Sequence, residues 1–458
     1  MIDNDVIKYV DFFRKLIDKS SSFGFKESEV FFEDEYSSGI QVLHGEVSSY
    51  ESSKVNGISF RGKVDEQMGY AHSESFTDDA IDFLLEKALA NSKILEPEQP
   101  ERIATPASNY PSANNYNPKL SELSFSDFES IVLNIEKSLL AYDSRIKGVD
   151  HLSIGYGDSS CIIINSKGLD CRSRSNMVSV YAGVRAADND VTKTGYALWI
   201  GRDLDTFDPE AFVKEAANDC LSKLGAVSVK SGKYDVVLAP RAATDLLASF
   251  AGIFSADAIQ KGFSMLGGKV SQRIASEAVT IVDEGICSLA YISNSFDSEG
   301  VPTQSKHIIR NGVLESVLHN MQSAEKDCVQ SSGNGFRGGY KSPISIWPTN
   351  FYIKPGAIDD EVLMGSVNSG IYITDLSGLH AGTNAISGDF SLLCEGFRIE
   401  SGKITFPVDQ ITVAGNFYNV MENIAWVGNR LHFDPPSSSG SMGSPALMLP
   451  QMPIAGEG

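Results

Sequence analysis

The run Gly378–Asn416, GLHAGTNAISGDFSLLCEGFRIESGKITFPVDQITVAGN, constrains the fold more than any other part of the chain. It reads as hairpin strands interrupted by Gly-rich turns, one of them Ser401-Gly402-Lys403 between the apolar runs FRI and ITF. Short alternating runs separated by such turns specify antiparallel sheet. Two places have chemical interest: the turn Ser387-Gly388-Asp389-Phe390 and the segment Cys394-Glu395-Gly396-Phe397. There, small residues allow close backbone approach beside acidic groups.

The rest of the chain divides around prolines. Residues 5–19 place Val6, Ile7, Val10, Phe13, Leu16 and Ile17 at helical spacing. The strand-like runs EVFFEDE, GIQVLHGE and GISFRGKV follow, and Thr77 opens a second helix with Asp78 and Asp79 in its first turn. Residues 97–120 carry Pro97, Pro100, Pro106, Pro111 and Pro118 and read as a stiff, non-helical linker. Beyond it, Ser126-Asp-Phe-Glu129 has capping-box spacing before a helix, strand-like runs fill 149–200, and Asp208-Pro209 opens a further helix. YDVVLAP (234–240) reads as a buried strand, 241–255 as an apolar helix, and the remainder as short strands and turns. The expected fold is therefore α+β: an N-terminal unit over 1–120, a middle unit over 121–230 and a large β-rich unit over 231–458.

Composition excludes several functions. Basic and acidic residues number 38 and 59, a net charge of −21, which disfavours binding to a phosphate backbone. The acidic N-terminus lacks the basic region of a signal peptide, and no apolar run approaches the ~18 residues of a membrane span. With six scattered cysteines and no C-x-x-C pair, a cytoplasmic location with free, mostly buried thiols is expected.

Local motifs point to little chemistry. The GNGFRG run at 333–338 fits G-x-G-x-x-G, but the prolines after it forbid the helix a dinucleotide site requires, so it reads as a mobile glycine loop. The seven histidines include no pair at metal-binding spacing; His380, inside the Gly-rich run, reads as a structural imidazole. Asp297 and Glu299, in Phe296-Asp297-Ser298-Glu299-Gly300-Val301, have the spacing of an acid–base pair or of a cation site. The competing reading, a solvated turn, is the one the sequence favours.

Three marks carry a resemblance: FDSEGV at 296–301, the 378–416 run, and LMLPQMPIAG at 447–456. With them the chain resembles the TldD/TldE (PmbA) family of peptidase-related proteins, and the TldE (PmbA) branch more closely than TldD. The TldD branch carries H-E-x-x-x-H on a helix and a C-terminal Cys as a zinc site, followed by an Asp-x-x-x-basic-Gly anchor. Asp257-Ala-Ile-Gln-Lys261-Gly262 matches that anchor, which places the motif positions at Leu247, Ala248 and Gly252, and no Cys follows Cys394. The resemblance thus implies a chain with no metal of its own and zinc in a TldD-like partner, the two forming a heteromeric peptidase for unfolded or small peptides. A homodimer of the lone chain is the other assembly in view. Two rival readings stay open. One is an autonomous hydrolase using Asp297, Glu299, His380 and Asp389. The other is a peptide-binding or assembly module; family members are also described as modulators of DNA gyrase, which the net charge makes an indirect effect. Free strand edges in the β-rich unit are the expected means of holding an extended peptide.

Overall fold

The computed structural model describes residues 4–94 and 101–457, so Pro97 and Pro100 of the expected linker lie outside the described residues. Helix α1 (Asn4–Ser20) leads into β1 (Glu27–Leu43), β2 (Glu46–Val64), β3 (Gln67–Ser73) and α2 (Asp78–Ser92). Between β1 and β2, His44 and Gly45 both take positive φ (57° and 79°), the backbone of a tight hairpin turn. Next come α3 (Phe125–Tyr142), β4 (Ile146–Asn165), β5 (Asp170–Asp188), β6 (Val191–Gly201) and α4 (Pro209–Leu221).

The two N-terminal units are not two sheets. Their strands form one six-stranded antiparallel sheet in the order β3-β2-β1-β4-β5-β6, with β1 paired to β4 from Glu29↔Asn165 to Val42↔Leu152. Each half would otherwise present a long unpaired edge, and joining β1 to β4 removes both. On one face, α1 and α2 bury Phe13, Leu16, Leu84 and Leu85 against Val30, Phe32, Ile58 and Phe60. Further along that face, α3 and α4 cover Ile40, Leu152, Ile154, Val178 and Val180.

Two local expectations are corrected here. The capping box of α3 is Ser124 with Asp127, two residues before the Ser126–Glu129 expected from spacing, because Ser124 Oγ accepts the Asp127 N–H while the Asp127 carboxylate accepts the Ser124 N–H. The described part of the linker is a packed strap that includes a 3-10 turn at Pro118–Glu122. Ile103 and Ala104 are buried, and Asn165 Nδ2 donates to the Ala104 carbonyl at 2.9 Å.

The C-terminal part begins with β7 (Lys230–Leu238) and α5 (Pro240–Phe250), which passes into a 3-10 turn over Ala251–Phe254. β7 pairs in parallel with Ser369–Ser377, which is followed across the sheet by the hairpin Asp389–Glu400 and Lys403–Asn416. Leu447–Glu457 pairs with β7 on its other side and with Lys403–Asn416 at Thr412↔Ala455, so the sheet closes on itself. The expected free edges are therefore largely absent from this sheet, since closure pairs its two flanking strands. A second six-stranded sheet, with Ile281–Glu284 and Asn350–Ile353 at its centre, packs alongside. The core between them holds Leu246, Leu247, Phe250 and Phe254 of the α5 region; the Phe250 ring stacks on Phe417 at 4.5 Å and 15°. Among the described residues no helix is long and apolar enough to cross a membrane.

Candidate functional site

The functional geometry lies where the C-terminal part meets the uncovered face of β1 and β2. The turn at Asp297–Gly300 is drawn tight by Gly300, whose φ of 77° suits glycine, and by the Gly300 N–H bonded to the Asp297 carbonyl at 3.0 Å. Asp297 Oδ1 accepts the N–H groups of Glu299 (2.9 Å) and Val301 (3.0 Å), and Oδ2 accepts that of Gly335 (2.8 Å). Glu299 Oε2 accepts the Met321 N–H at 2.8 Å. These carboxyls are 1% and 4% exposed, so the solvated turn favoured by the sequence is overturned. The GNGFRG run is likewise no mobile loop: Ser332 to Arg337 are buried, and a Cβ on Gly335 would stand 2.5 Å from Glu299 Oε2.

Arg337 from that run reaches the N-terminal sheet. Its Nη1 donates to Ser59 Oγ at 2.8 Å, its guanidinium lies over the Phe31 ring at 4.8 Å, and its Nη2 stands 3.6 Å from Glu29 Oε1. Glu29 is paired with Arg61, whose Nε donates to Oε1 at 2.7 Å. Two arginines and three carboxyls, Glu29, Asp297 and Glu299, thus form one buried cluster. Burial lifts both the Asp297 and the Glu299 carboxyls above their ordinary range; backbone N–H groups oppose this at Asp297, and Arg61 opposes it at Glu299. Burial, then the neighbouring Arg61 charge, lowers the Arg337 pKa.

Above the cluster opens a cleft of about 550 Å³ lined by Ser59, Tyr70, His72, Glu299, Arg337 and Lys341 among others. Gly57 admits the Tyr340 ring against β2, which seats the cleft wall on the N-terminal sheet. A second cleft of about 560 Å³ shares Asn320, Gln322 and Ile344 with the first and extends to Gly252 and Trp347. The two adjoin at these shared residues, one opening on the cluster and the other on the end of α5.

The other expected site residues lie apart from this cluster. His380 is exposed on the short helix Leu379–Gly382, and Asp389 is exposed at a strand start, where Asn416 Nδ2 donates to it at 2.9 Å. Neither shares a hydrogen bond with Asp297 or Glu299 among the described residues, so the four do not make one constellation. Leu247 is buried in the core, Ala248 is half-buried and Gly252 is exposed. None of the three has an atom that can ligate zinc, and among the described residues no group of three His, Cys, Asp or Glu side chains is placed to hold a metal ion. The residues at these positions therefore do not fit the metal. The cysteines are unpaired; Cys328 is exposed, and burial raises the Cys394 thiol to about 12.

A second charged junction ties α4 to the barrel. Lys223 sits 3.4 Å from both Asp219 and Asp375, and Arg241 pairs with Asp375 while lying 4.5 Å over the Tyr196 ring. Beside it, burial and the nearby Asp434 raise the Asp245 carboxyl to about 6. Its folded pKa exceeds the unfolded value, so its contribution to stability is complete below about pH 4 and is lost as pH rises through 6. Asp245→Asn is accordingly expected to stabilise the protein above pH 6 by about 1–2 kcal/mol, allowing for solvent screening of a half-buried group, and to change little at pH 4. Thermal unfolding of both proteins across that range measures it; an equal difference at the two pH values would contradict the assignment.

Models of the three domains of the PmbA/TldA metallopeptidases match here: domain 1 at residues 28–92, the central domain at 118–224 and the C-terminal domain at 231–456. In that order and over that span they define a three-domain, metallopeptidase-type chain. The chain belongs to the PmbA/TldD family. It is 27% identical over 424 residues to metalloprotease PmbA of Escherichia coli O157:H7, covering 91% of this chain and 90% of that one. A Thermotoga maritima protein described as a candidate modulator of a DNA gyrase superposes with a TM-score of 0.89 at 28% identity, covering 98% of this chain and all of the other. TldE from Thermococcus kodakarensis shares the fold, with a TM-score of 0.88 at 24% identity over 97% of this chain and all of the other.

Glu29, Arg61 and Arg337 are the members of this candidate site that sequence reasoning missed. The available signal was a charge on an inward position of a strand: Arg61 interrupts GISFRGKV and Glu29 opens EVFF, each beside apolar neighbours.

Proposed function

We propose that this chain is the TldE-like, non-catalytic subunit of a cytoplasmic metallopeptidase that acts on unfolded or small peptides, with zinc and the water-activating groups supplied by a TldD-like partner. One observation carries the reading: a chain matched by the family's three domain models has Leu, Ala and Gly at 247, 248 and 252, where the catalytic branch has its ligands and base. Such a chain has no local means of activating a metal-bound water. Its contribution is shape, two adjoining clefts between the α5 end and the buried cluster that offer surface to a peptide. The net charge of −21 favours cationic peptides and argues against direct DNA contact.

The test is metal content and cleavage of an unfolded protein such as reduced, carboxymethylated casein, by the chain alone and mixed with a TldD-like partner. Little bound zinc and no cleavage are expected from the lone chain, with cleavage appearing on mixing. Stoichiometric zinc with robust cleavage by the lone chain would overturn the reading, and cleavage by the partner unaffected by this chain would do so too.

A further inference from the structure

Among the cluster's atoms left without a hydrogen-bond partner, donors outnumber acceptors. Arg61 Nη2, Arg337 Nε and Arg337 Nη2 have no hydrogen-bond partner among the described residues, against the single carboxylate oxygen Glu29 Oε2. Arg337 Nη2 to Glu29 Oε1, at 3.6 Å, is an ion-pair distance and too long for a hydrogen bond. Ser59 occupies Nη1, which leaves the Nε/Nη2 edge of Arg337, the edge that takes both oxygens of a carboxylate side by side. Arg337 lies at the cleft floor, and Lys341, which donates to Glu74 at 2.7 Å, and Arg102, which pairs with Glu325, line the same cleft. The acids that also line it are engaged: Glu101 accepts the Tyr70 hydroxyl, and Glu299 Oε2 accepts the Met321 N–H. Met68, Ala71, Pro343 and Ile344 supply apolar wall, and about 550 Å³ is the size of a small-ligand pocket.

We propose that this cleft binds the C-terminal carboxylate of a peptide, with Arg337 as the carboxylate-binding residue and Lys341 and Arg102 steering the anion to it. The identity of the ligand as a peptide rests on the peptidase-subunit reading; the carboxylate specificity rests on the donor surplus. Nε and Nη2 are covered, and Nη2 faces Glu29, so engagement includes a turn of the Arg337 side chain toward the cleft.

Isothermal titration of the full chain with N-acetyl-Ala-Ala-Ala and with its C-terminal amide tests this directly, since the two differ only in the carboxylate. The acid is expected to bind and the amide to bind at least about tenfold more weakly. Arg337→Lys, which keeps the charge and loses the fork, is expected to weaken the acid by a similar factor, and Lys341→Ala by a few-fold. Should Arg337→Lys fail to fold, the acid–amide comparison on the unaltered chain decides. Equal affinities, or binding of neither peptide, would overturn the proposal. This readout needs no partner and no cleavage. Failure of mixing to produce cleavage while the acid still binds sinks the subunit reading alone, and cleavage on mixing with no acid preference sinks the carboxylate site alone.

Discussion

Arg61→Ala is expected to destabilise the protein by about 3–5 kcal/mol, the cost of breaking a buried ion pair by removing one partner. Arg61 is 1% exposed and Glu29 is fully buried, and they meet at 2.7 Å. Burial works against the Arg61 charge, yet the pull of Glu29 outweighs it and holds the guanidinium pKa above its ordinary value. Removing the guanidinium leaves Glu29 with a carboxylate that already has one unpartnered oxygen and only Arg337 nearby, at 3.6 Å. A domain is held by roughly 5–15 kcal/mol, so this single loss takes a large share of it. The paired replacement Glu29→Leu with Arg61→Met should restore most of the stability, because the desolvation of two charges disappears together with their attraction. Urea unfolding of the two variants beside the unaltered protein measures the effect. A loss below about 1 kcal/mol for Arg61→Ala would show that the pair is open to water and that the cluster is not a buried one.

Much of the architecture was legible because it is written in local pattern. The hairpin at Ser401-Gly402 and the Asp208-Pro209 helix start both follow from turn chemistry, with Ser401 and Gly402 taking the positive φ such a turn needs. What the sequence concealed is long-range. The pairing of β1 with β4 joins strands more than a hundred residues apart, and nothing in either run names its partner. The burial of Asp297 and Glu299 has the same origin. DSEG reads as a surface turn until Gly335 and Arg337 of one run, Met321 of another and Arg61 of the N-terminal sheet close over it. Likewise, GNGFRG looked mobile because glycines carry no side chain to reveal that another group needs their space; at Gly335 that group is Glu299. His380 and Asp389 drew suspicion through their glycine-rich neighbourhood, yet they lie on exposed backbone outside the cluster.

Introducing the H-E-x-x-x-H motif at 247–252 is expected to fail, and chiefly at Leu247. Leu247→His should cost about 2–5 kcal/mol, because it removes apolar contacts from a close-packed core and buries a polar ring there. Leu247 is 1% exposed, in a cluster with Leu246, Phe250, Phe254 and Ile281. Gly252 lies beyond the end of α5, in the 3-10 turn Ala251–Phe254, exposed and with open space where a Cβ would stand. A side chain at 247 therefore enters the core while one at 252 faces the second cleft, and two such imidazoles do not converge on one ion. Ala248→Glu and Gly252→His alone should each cost under about 1 kcal/mol, since neither position is buried. The triple variant Leu247→His, Ala248→Glu, Gly252→His is expected to be as unstable as Leu247→His and to retain no stoichiometric zinc after dialysis, measured by atomic emission together with urea unfolding. Stoichiometric zinc at undiminished stability would mean that the helix keeps a metal-ready geometry and that only the ligands were lost. The geometry implies the contrary: position 247 serves the core, while position 252 opens on the second cleft.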